Sequence, residues 1–68
     1  TREKLMAYLT DQAKLKRSND FTIPFNRQEL ADYLGVERSA MSAELGKLTK
    51  LGILRTQRSH FTLLKPLD

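Results

Sequence analysis

The chain of 68 residues contains no cysteine. A disulfide framework, a cysteine-based zinc-finger ligand set and a thiol nucleophile are therefore excluded within it. Its glycines form no phosphate-binding loop, and its single histidine, His60, has no set of further histidines or carboxylates at metal-ligand spacing. We therefore predict that the domain is not an enzyme and that it holds no cofactor and no metal ion of its own.

Long apolar runs are also missing. No stretch approaches the roughly 18 residues that a membrane-spanning helix needs, and no segment resembles a signal peptide. We therefore expect a soluble domain without a membrane partner. Residues 1–68 should form one domain, and a chain this short buries only about 60% of its unfolded surface. The chain begins at Thr1 rather than at methionine, so we expect a fragment of a longer protein.

Basic residues outnumber acidic ones, 12 to 8, which gives a formal net charge of +4 and a pI near 9.8. Such a balance fits a nucleic-acid partner. Many of the basic side chains lie in the second half of the chain, at Arg38, Lys47, Lys50, Arg55 and Arg58. Their clustering favours DNA over a diffuse, solvated charge.

The stretch from Arg27 to Gly52 carries the clearest structural pattern. Leu30, Ala31 and Leu34 recur at helical spacing, and Gly35 then interrupts them, as a residue able to take a positive φ does at a helix end. A second helical pattern starts within a few residues. Two short helices with a small residue where they cross and a glycine in the turn predict a DNA-binding helix-turn-helix.

The two helices of this motif have different starts. Asn26 is a favoured N-cap, and Glu29, three residues later, can complete a capping box, so the first helix should begin near Arg27. Glu37 is a poor N-cap, although its negative charge suits the helix dipole. We place the start of the second helix near Arg38.

The second helix has an apolar side and a side of small and basic residues. Met41, Leu45 and Leu48 follow at i, i+4 and i+7 and form one apolar stripe. The opposite side carries Ser39, Ser42, Ala43, Gly46 and Lys50, with no acidic residue among them. Side chains this small would allow a partner to approach the helix backbone closely.

The remaining segments complete a small mixed fold. We predict a helix over Thr1–Arg17, on which Leu5, Leu9 and Ala13 face the motif; Tyr8 and Leu15 fall off this stripe and serve either a neighbouring domain or packing within this one. Strands are predicted over Phe21–Phe25, Ile53–Thr56 and His60–Leu64, with a turn at Gln57–Ser59. Pro24 restricts its strand to a sheet edge, and Pro66 should end the last strand. The predicted fold is mainly α with a small antiparallel β-sheet: a winged helix-turn-helix of three helices and a β-hairpin wing.

Several runs resemble one known family. These are R-Q-E-L-A-x-Y-L-G at Arg27 to Gly35, M-S-x-E-L at Met41 to Leu45, and L-G-I-L at Leu51 to Leu54. Together they resemble the C-terminal winged-helix domain of the Crp/Fnr family of bacterial transcription regulators, and Lys4 to Leu9 resembles the helix that follows the dimerisation helix in that family. The likeness covers most of the chain.

The resemblance implies a function for a longer parent protein. That parent would be a cytoplasmic homodimer with an N-terminal sensor domain, absent here, whose effector is unknown, and it would bind a near-palindromic DNA site and could contact RNA polymerase. A recognition helix from Arg38 to Gly52 would enter the major groove, and a wing from Arg55 to Phe61 would contact the DNA backbone. The alternative is a winged helix used for protein contact, since a fold does not fix its function.

Within this framework, Arg38, Ser39, Ser42 and Ala43 are the predicted base-reading residues. Arg38 can bind guanine O6 and N7 as a bidentate pair, the serines can donate or accept, and the methyl group of Ala43 can pack on a thymine methyl. Ala43 stands where several family members carry a guanine-reading arginine, and Glu44 stands where many helix-turn-helix proteins carry an apolar residue. Specificity should therefore rest heavily on Arg38, together with DNA shape and dimer spacing. The competing interpretations are an exposed helix start or a phosphate contact for Arg38, local hydrogen bonds to the helix backbone for the two serines, and a tolerated surface position for Ala43.

Phosphate contacts are predicted for a second group of residues, because side chains at a helix start and in a wing position a protein without reading sequence. For each of them alone, a solvated charge is the competing interpretation. The group comprises Arg27, Gln28, Lys47, Lys50, Arg55, Arg58, Ser59 and His60.

Overall fold

The computed structural model of the protein describes residues 1–64. These residues form three helices and a three-stranded antiparallel sheet, which confirms the predicted winged helix-turn-helix. The elements are α1 (Arg2–Lys16), β1 (Asp20–Thr22), α2 (Arg27–Leu34), α3 (Arg38–Lys50), β2 (Leu54–Gln57) and β3 (His60–Leu63). Strand β3 lies in the middle, between β1 and β2.

Helix α1 packs beneath the motif through Leu5 and Leu9, which are fully buried. Tyr8 packs within the domain, with its ring centroid 5.4 Å from that of Tyr33 and 6.2 Å from that of Phe25. Burial, together with the neighbouring Tyr33, raises the pKa of the Tyr8 phenol. Leu15 is 75% exposed. Of the two alternatives for these residues, internal packing therefore holds for Tyr8, whereas Leu15 has solvent around it.

The start of α2 shows the predicted capping box. Asn26 Oδ1 accepts from the backbone N–H of Glu29 at 2.8 Å, and Glu29 Oε1 accepts from the backbone N–H of Asn26 at 2.9 Å. The helix ends at Gly35, whose φ is 71°. Its N–H donates to Asp32, and the N–H of Val36 donates to Ala31, which closes the helix end.

Helix α3 begins at Arg38, as predicted, but ends at Lys50 rather than at Gly52. The backbone leaves the helix because Gly52 takes a φ of 74°. Met41, Leu45 and Leu48 are buried against the other elements, and Ala31 of α2 is fully buried in the same core. A small side chain at Ala31 lets the two helices approach each other.

The strands are displaced slightly from their predicted bounds. The first covers Asp20–Thr22 rather than Phe21–Phe25, because Pro24 has no N–H for the ladder and lies just beyond the last pair. The N–H of Ile23 still donates to the Ser59 carbonyl at 2.9 Å. Strand β2 starts at Leu54 and extends to Gln57, the turn is Arg58–Ser59, and β3 ends at Leu63. The predicted end at Pro66 lies outside the described residues.

Alternation along the strands gives the sheet two different faces. The inner face carries apolar side chains and packs against the helices; its buried members are Phe21, Phe61, Leu54 and Leu63. The outer face carries Asp20, Thr22, His60, Thr62, Arg55 and Gln57. Among the helices of residues 1–64, none is both long and apolar enough to cross a bilayer.

Candidate nucleic-acid interface

The exposed side of α3 is the first part of the candidate site. Six residues on it, which we call the α3 stripe, are exposed: Ser39, Ser42, Ala43, Gly46, Lys47 and Lys50. The buried side of the same helix fixes this orientation, since Met41, Leu45 and Leu48 are at most 1% exposed. The helix therefore presents small and basic groups to whatever lies outside it.

Glu44 is kept off the α3 stripe by an ion pair. Its carboxylate accepts from Arg2 Nε at 2.5 Å, and its side chain is only 15% exposed. At about 100° per residue, Glu44 lies on the flank of α3 beside the buried side. The pair neutralises the acidic residue of the helix and ties the start of α1 to α3.

The N-terminus of α3 keeps its amide donors available. As at any helix start, the first N–H groups have no partner within the helix. Among the described residues, the N-cap Glu37 makes no side-chain hydrogen bond to them, and its carboxylate instead accepts from the Ser39 hydroxyl at 3.5 Å. The positive end of the helix dipole therefore lies beside Arg38, where an anion is favoured.

A concavity of about 470 Å³ lies between the starts of α2 and α3 and the wing turn. We call it the arginine concavity; its lining residues are Asn26, Arg27, Gln28, Arg38, Arg58 and Ser59. None of these lining positions carries a carboxylate. Guanidinium groups gathered around an opening without acidic partners favour a phosphate-bearing ligand.

Arg27 is half-buried, whereas the other two arginines that line the concavity, Arg38 and Arg58, are exposed. Its Nη2 donates to Thr56 Oγ1 at 3.2 Å and its Nε donates to the Arg58 carbonyl at 3.5 Å. Burial lowers the pKa of the Arg27 guanidinium, and the like charge of Arg38 lowers it further. Arg27 thus connects α2 to the wing, and Arg38 is close enough for their charges to repel.

The wing turn is fixed by its neighbours. Arg58 has a φ of 56°, a left-handed conformation that costs a residue with a side chain about 1 kcal/mol or more. The Ser59 hydroxyl donates to the Phe25 carbonyl at 2.6 Å. Arg58 thereby lies at the rim of the arginine concavity, and the Ser59 hydroxyl is already engaged within the domain.

The outer sheet face holds two predicted phosphate ligands, Arg55 and His60, away from the arginine concavity. His60 Nδ1 is 2.9 Å from Thr22 Oγ1, and its Nε2 contacts the Asp20 carboxylate. The hydrogen bond from His60, then that from the Thr62 hydroxyl, lowers the pKa of Asp20. A second concavity, of about 360 Å³, is lined by Asp20, Arg55, Thr56, Gln57, His60 and Thr62.

The predicted site residues thus fall into three groups. Ser39, Ser42, Ala43, Lys47 and Lys50 form most of the α3 stripe; Arg27, Gln28, Arg38, Arg58 and Ser59 meet in the arginine concavity; Arg55 and His60 share the outer sheet face. Gln28 also donates to Asp32 Oδ1 at 3.0 Å.

Sequence reasoning missed two participants. Arg2 pairs with Glu44, and Thr56 accepts from Arg27. Both contacts join elements that are far apart in the chain, and no local pattern indicates them. The alternating pattern of β2 places Thr56 on the helix side of the sheet, which was the one available signal for the second contact.

Comparisons with known proteins identify the family of the domain. The profile of one family, described as the Crp-like helix-turn-helix domain, matches residues 3–67. A protein of Rhizobium leguminosarum bv. viciae named "Probable transcriptional activator" is 29% identical over 51 residues. That alignment covers 75% of this chain and 21% of the relative, so the chain spans about a fifth of the relative's length. The chain belongs to the Crp-like helix-turn-helix family, whose members are DNA-binding domains of transcription regulators.

Proposed function

We propose that the domain binds duplex DNA in a sequence-specific manner, as the output domain of a bacterial Crp/Fnr-type regulator. Helix α3 enters the major groove, where each base pair has a distinct pattern of donors and acceptors. The observation that carries the proposal is the joint surface of the α3 stripe and the arginine concavity, whose lining positions include no acidic residue.

Base reading falls to the first turns of α3. Arg38 is the side chain there that can form a bidentate pair with guanine, while Ser39 and Ser42 donate or accept and Ala43 contacts a thymine methyl. A bidentate pair of this kind contributes roughly 1–3 kcal/mol of discrimination. DNA shape and the spacing of half-sites supply the rest of the specificity.

A second set of residues on the same surface contacts the phosphates. Gln28 at the start of α2 and Arg58 in the wing turn lie beside the base-reading end of α3, whereas Lys47 and Lys50 lie in its last turn. Contacts of this type fix the register of a protein on the duplex without reading the sequence. Arg55 and His60 act only where the duplex also reaches the outer sheet face.

The protein-contact alternative has less support on this surface. The large apolar side chains that residues 1–64 leave exposed are Leu15, Tyr33, Leu51 and Leu64. None of these belongs to the α3 stripe or lines the arginine concavity. A protein-binding α3 would present apolar anchors, whereas this one presents serine, alanine, glycine and lysine.

Fluorescence anisotropy with mixed-sequence duplexes across a range of salt concentrations tests the proposal. With about four phosphates neutralised, the logarithm of the association constant should fall against the logarithm of salt with a slope of about 3 to 4 in magnitude. Lys14→Ala is the matched control, since it removes one positive charge from α1, outside every predicted contact. Undetectable binding at low salt would refute the DNA proposal.

Dimeric binding makes a further test possible. We propose that the parent protein is a homodimer that reads two half-sites about one helical turn apart. The single domain should then bind weakly, and two copies joined by a flexible linker should bind a selected palindrome at least roughly 100-fold more tightly. An unchanged affinity for the linked pair would contradict this part of the proposal.

A further inference from the structure

The connection between β1 and α2 holds the wing turn at several points. The Ile23 N–H donates to the Ser59 carbonyl at 2.9 Å, and the Ser59 hydroxyl donates to the Phe25 carbonyl at 2.6 Å. Arg27 adds its bonds to the Arg58 carbonyl at 3.5 Å and to Thr56 Oγ1 at 3.2 Å. The turn of the wing is thus attached to the start of α2 as well as to its own strands.

Two residues predicted as phosphate ligands are therefore engaged elsewhere. Arg27 directs two of its N–H groups to the wing, and Ser59 directs its hydroxyl to the chain just before α2. A phosphate that used these same donors would have to displace the bonds they already make. Arg58, by contrast, takes part through its backbone carbonyl, and within residues 1–64 its guanidinium, at the rim of the arginine concavity, makes no side-chain hydrogen bond.

The conformation of Arg58 makes the attachment important. Arg58 has a φ of 56° in a two-residue turn, a position at which glycine is favoured. A side chain persists in this region when the surrounding structure holds it there. The bond from Arg27 to the Arg58 carbonyl acts directly on that strained residue, and the bonds of Ser59 act on its neighbour.

We propose that Arg27 and Ser59 are positioning residues that hold the wing turn in place before DNA arrives, so that Arg58 meets the DNA backbone. This inference rests on the proposed function, which it deepens by dividing the lining of the arginine concavity between ligands and supports. A turn that is already ordered loses less conformational entropy on binding. Arg58 then contributes its full phosphate contact.

Salt dependence separates a positioning residue from a ligand. Arg58→Ala should lower the magnitude of the salt slope by about 1, because one phosphate contact disappears. Arg27→Lys keeps the charge but cannot bond both acceptors with a planar fork. We expect it to lower the slope by about the same amount as Arg58→Ala, with no further fall in the double variant. A direct phosphate ligand at Arg27 would instead leave the slope of Arg27→Lys unchanged, and that result would overturn the inference.

Ser59→Ala provides a second variant that changes no charge. It should also reduce the slope, because Arg58 loses its fixed position; a slope equal to that of the unmodified domain would count against the proposal. Lys14→Ala again serves as the control for removal of a charge elsewhere.

Backbone ¹⁵N relaxation of the free domain tests the same idea without DNA. The amides of residues 57–60 should be as rigid as the rest of the sheet in the unmodified protein and become mobile on the nanosecond timescale in Arg27→Lys and Ser59→Ala. Equal rigidity in all three proteins would overturn the inference. Should the domain fail to bind any duplex, the proposed function falls, whereas the relaxation result still decides whether Arg27 and Ser59 hold the turn.

Discussion

The outer sheet face and the arginine concavity differ in whether their charged side chains have partners of opposite charge. On the outer sheet face, Asp20 accepts hydrogen bonds from His60 and Thr62, and His60 also contacts Thr22. In the arginine concavity, Arg27 and Arg38 lie close enough for their like charges to repel, and none of the lining positions is acidic. The carboxylate of the outer sheet face is paired within the domain, whereas the arginine concavity, which no acidic residue lines, is suited to an anionic partner.

This difference locates the function better than the net charge does. A charge of +4 could belong to any small basic domain. Its uneven distribution is more informative, because the Arg2–Glu44 pair removes an acidic residue from α3 while Asp20 is paired on another face. The basic residues of the remaining surface then lie in the arginine concavity beside the start of α3 and, at Lys47 and Lys50, in its last turn.

The largest expected effect comes from removing Arg38. Arg38→Ala should lose roughly 1–3 kcal/mol of discrimination between a selected site and the same site with its guanine replaced. His60→Ala on the outer sheet face is the matched comparison and should change discrimination very little. Anisotropy titrations with both duplexes measure the difference. Equal losses on the two duplexes for Arg38→Ala would mean that Arg38 contacts phosphate, and an equal effect of His60→Ala would remove the distinction between the surfaces.

Local patterns explain which features were predictable. Asn26 and Glu29 lie three residues apart, so their capping box is visible in the sequence, and Gly35 indicates the helix end by its conformational freedom. Periodicity likewise assigned the buried side of α3. The bounds of β1 were harder, since Pro24 shortens the ladder on one side while the Ile23 amide still pairs with the wing.

The pairing of side chains was not predictable in the same way. Arg2 and Glu44 are 42 residues apart, and Asp20 and His60 are 40 residues apart. Their contacts depend on how α1 packs on α3 and on the register of β1 against β3, which composition and spacing leave open. For this reason the sequence grouped His60 with Arg58 as phosphate ligands, although the fold separates them onto different surfaces.

The starts of α2 and α3 can be compared by their contributions to stability, without DNA. Asn26→Ala breaks the capping box and should lower the free energy of unfolding by about 1 kcal/mol. Glu37→Ala, at the start of α3, should cost much less, because Glu37 makes no capping hydrogen bond within residues 1–64. Urea titrations followed by circular dichroism compare the two variants. Similar losses from both would show that the α3 start is stabilised more than its geometry indicates.

A smaller effect is expected from a lysine on the α3 stripe. Lys50→Ala should weaken binding to all duplexes by about 0.5 kcal/mol, as for other exposed ion pairs, and lower the magnitude of the salt slope by about 1. Arg55→Ala removes the same charge from the outer sheet face and should change the slope less. A slope change at Arg55 as large as that at Lys50 would extend the DNA contact onto the outer sheet face.

The smallest expected effect concerns the outer sheet face and the pH dependence of the protein's stability. The hydrogen bond from His60, followed by that from Thr62, lowers the pKa of Asp20 below its ordinary value of 3.8. Folding therefore favours the ionised carboxylate, so its contribution to stability is present above about pH 4 and is lost as the pH falls through the lower, folded-state pKa. Asp20→Asn carries no charge and should lack this dependence. The urea midpoint of the unmodified protein should exceed that of Asp20→Asn at neutral pH, and the difference should narrow as the pH is lowered below about 4. A difference that stayed constant over this range would show that the Asp20 carboxylate contributes no charge-dependent bond. The charges of the outer sheet face would then be no better paired within the domain than those of the arginine concavity.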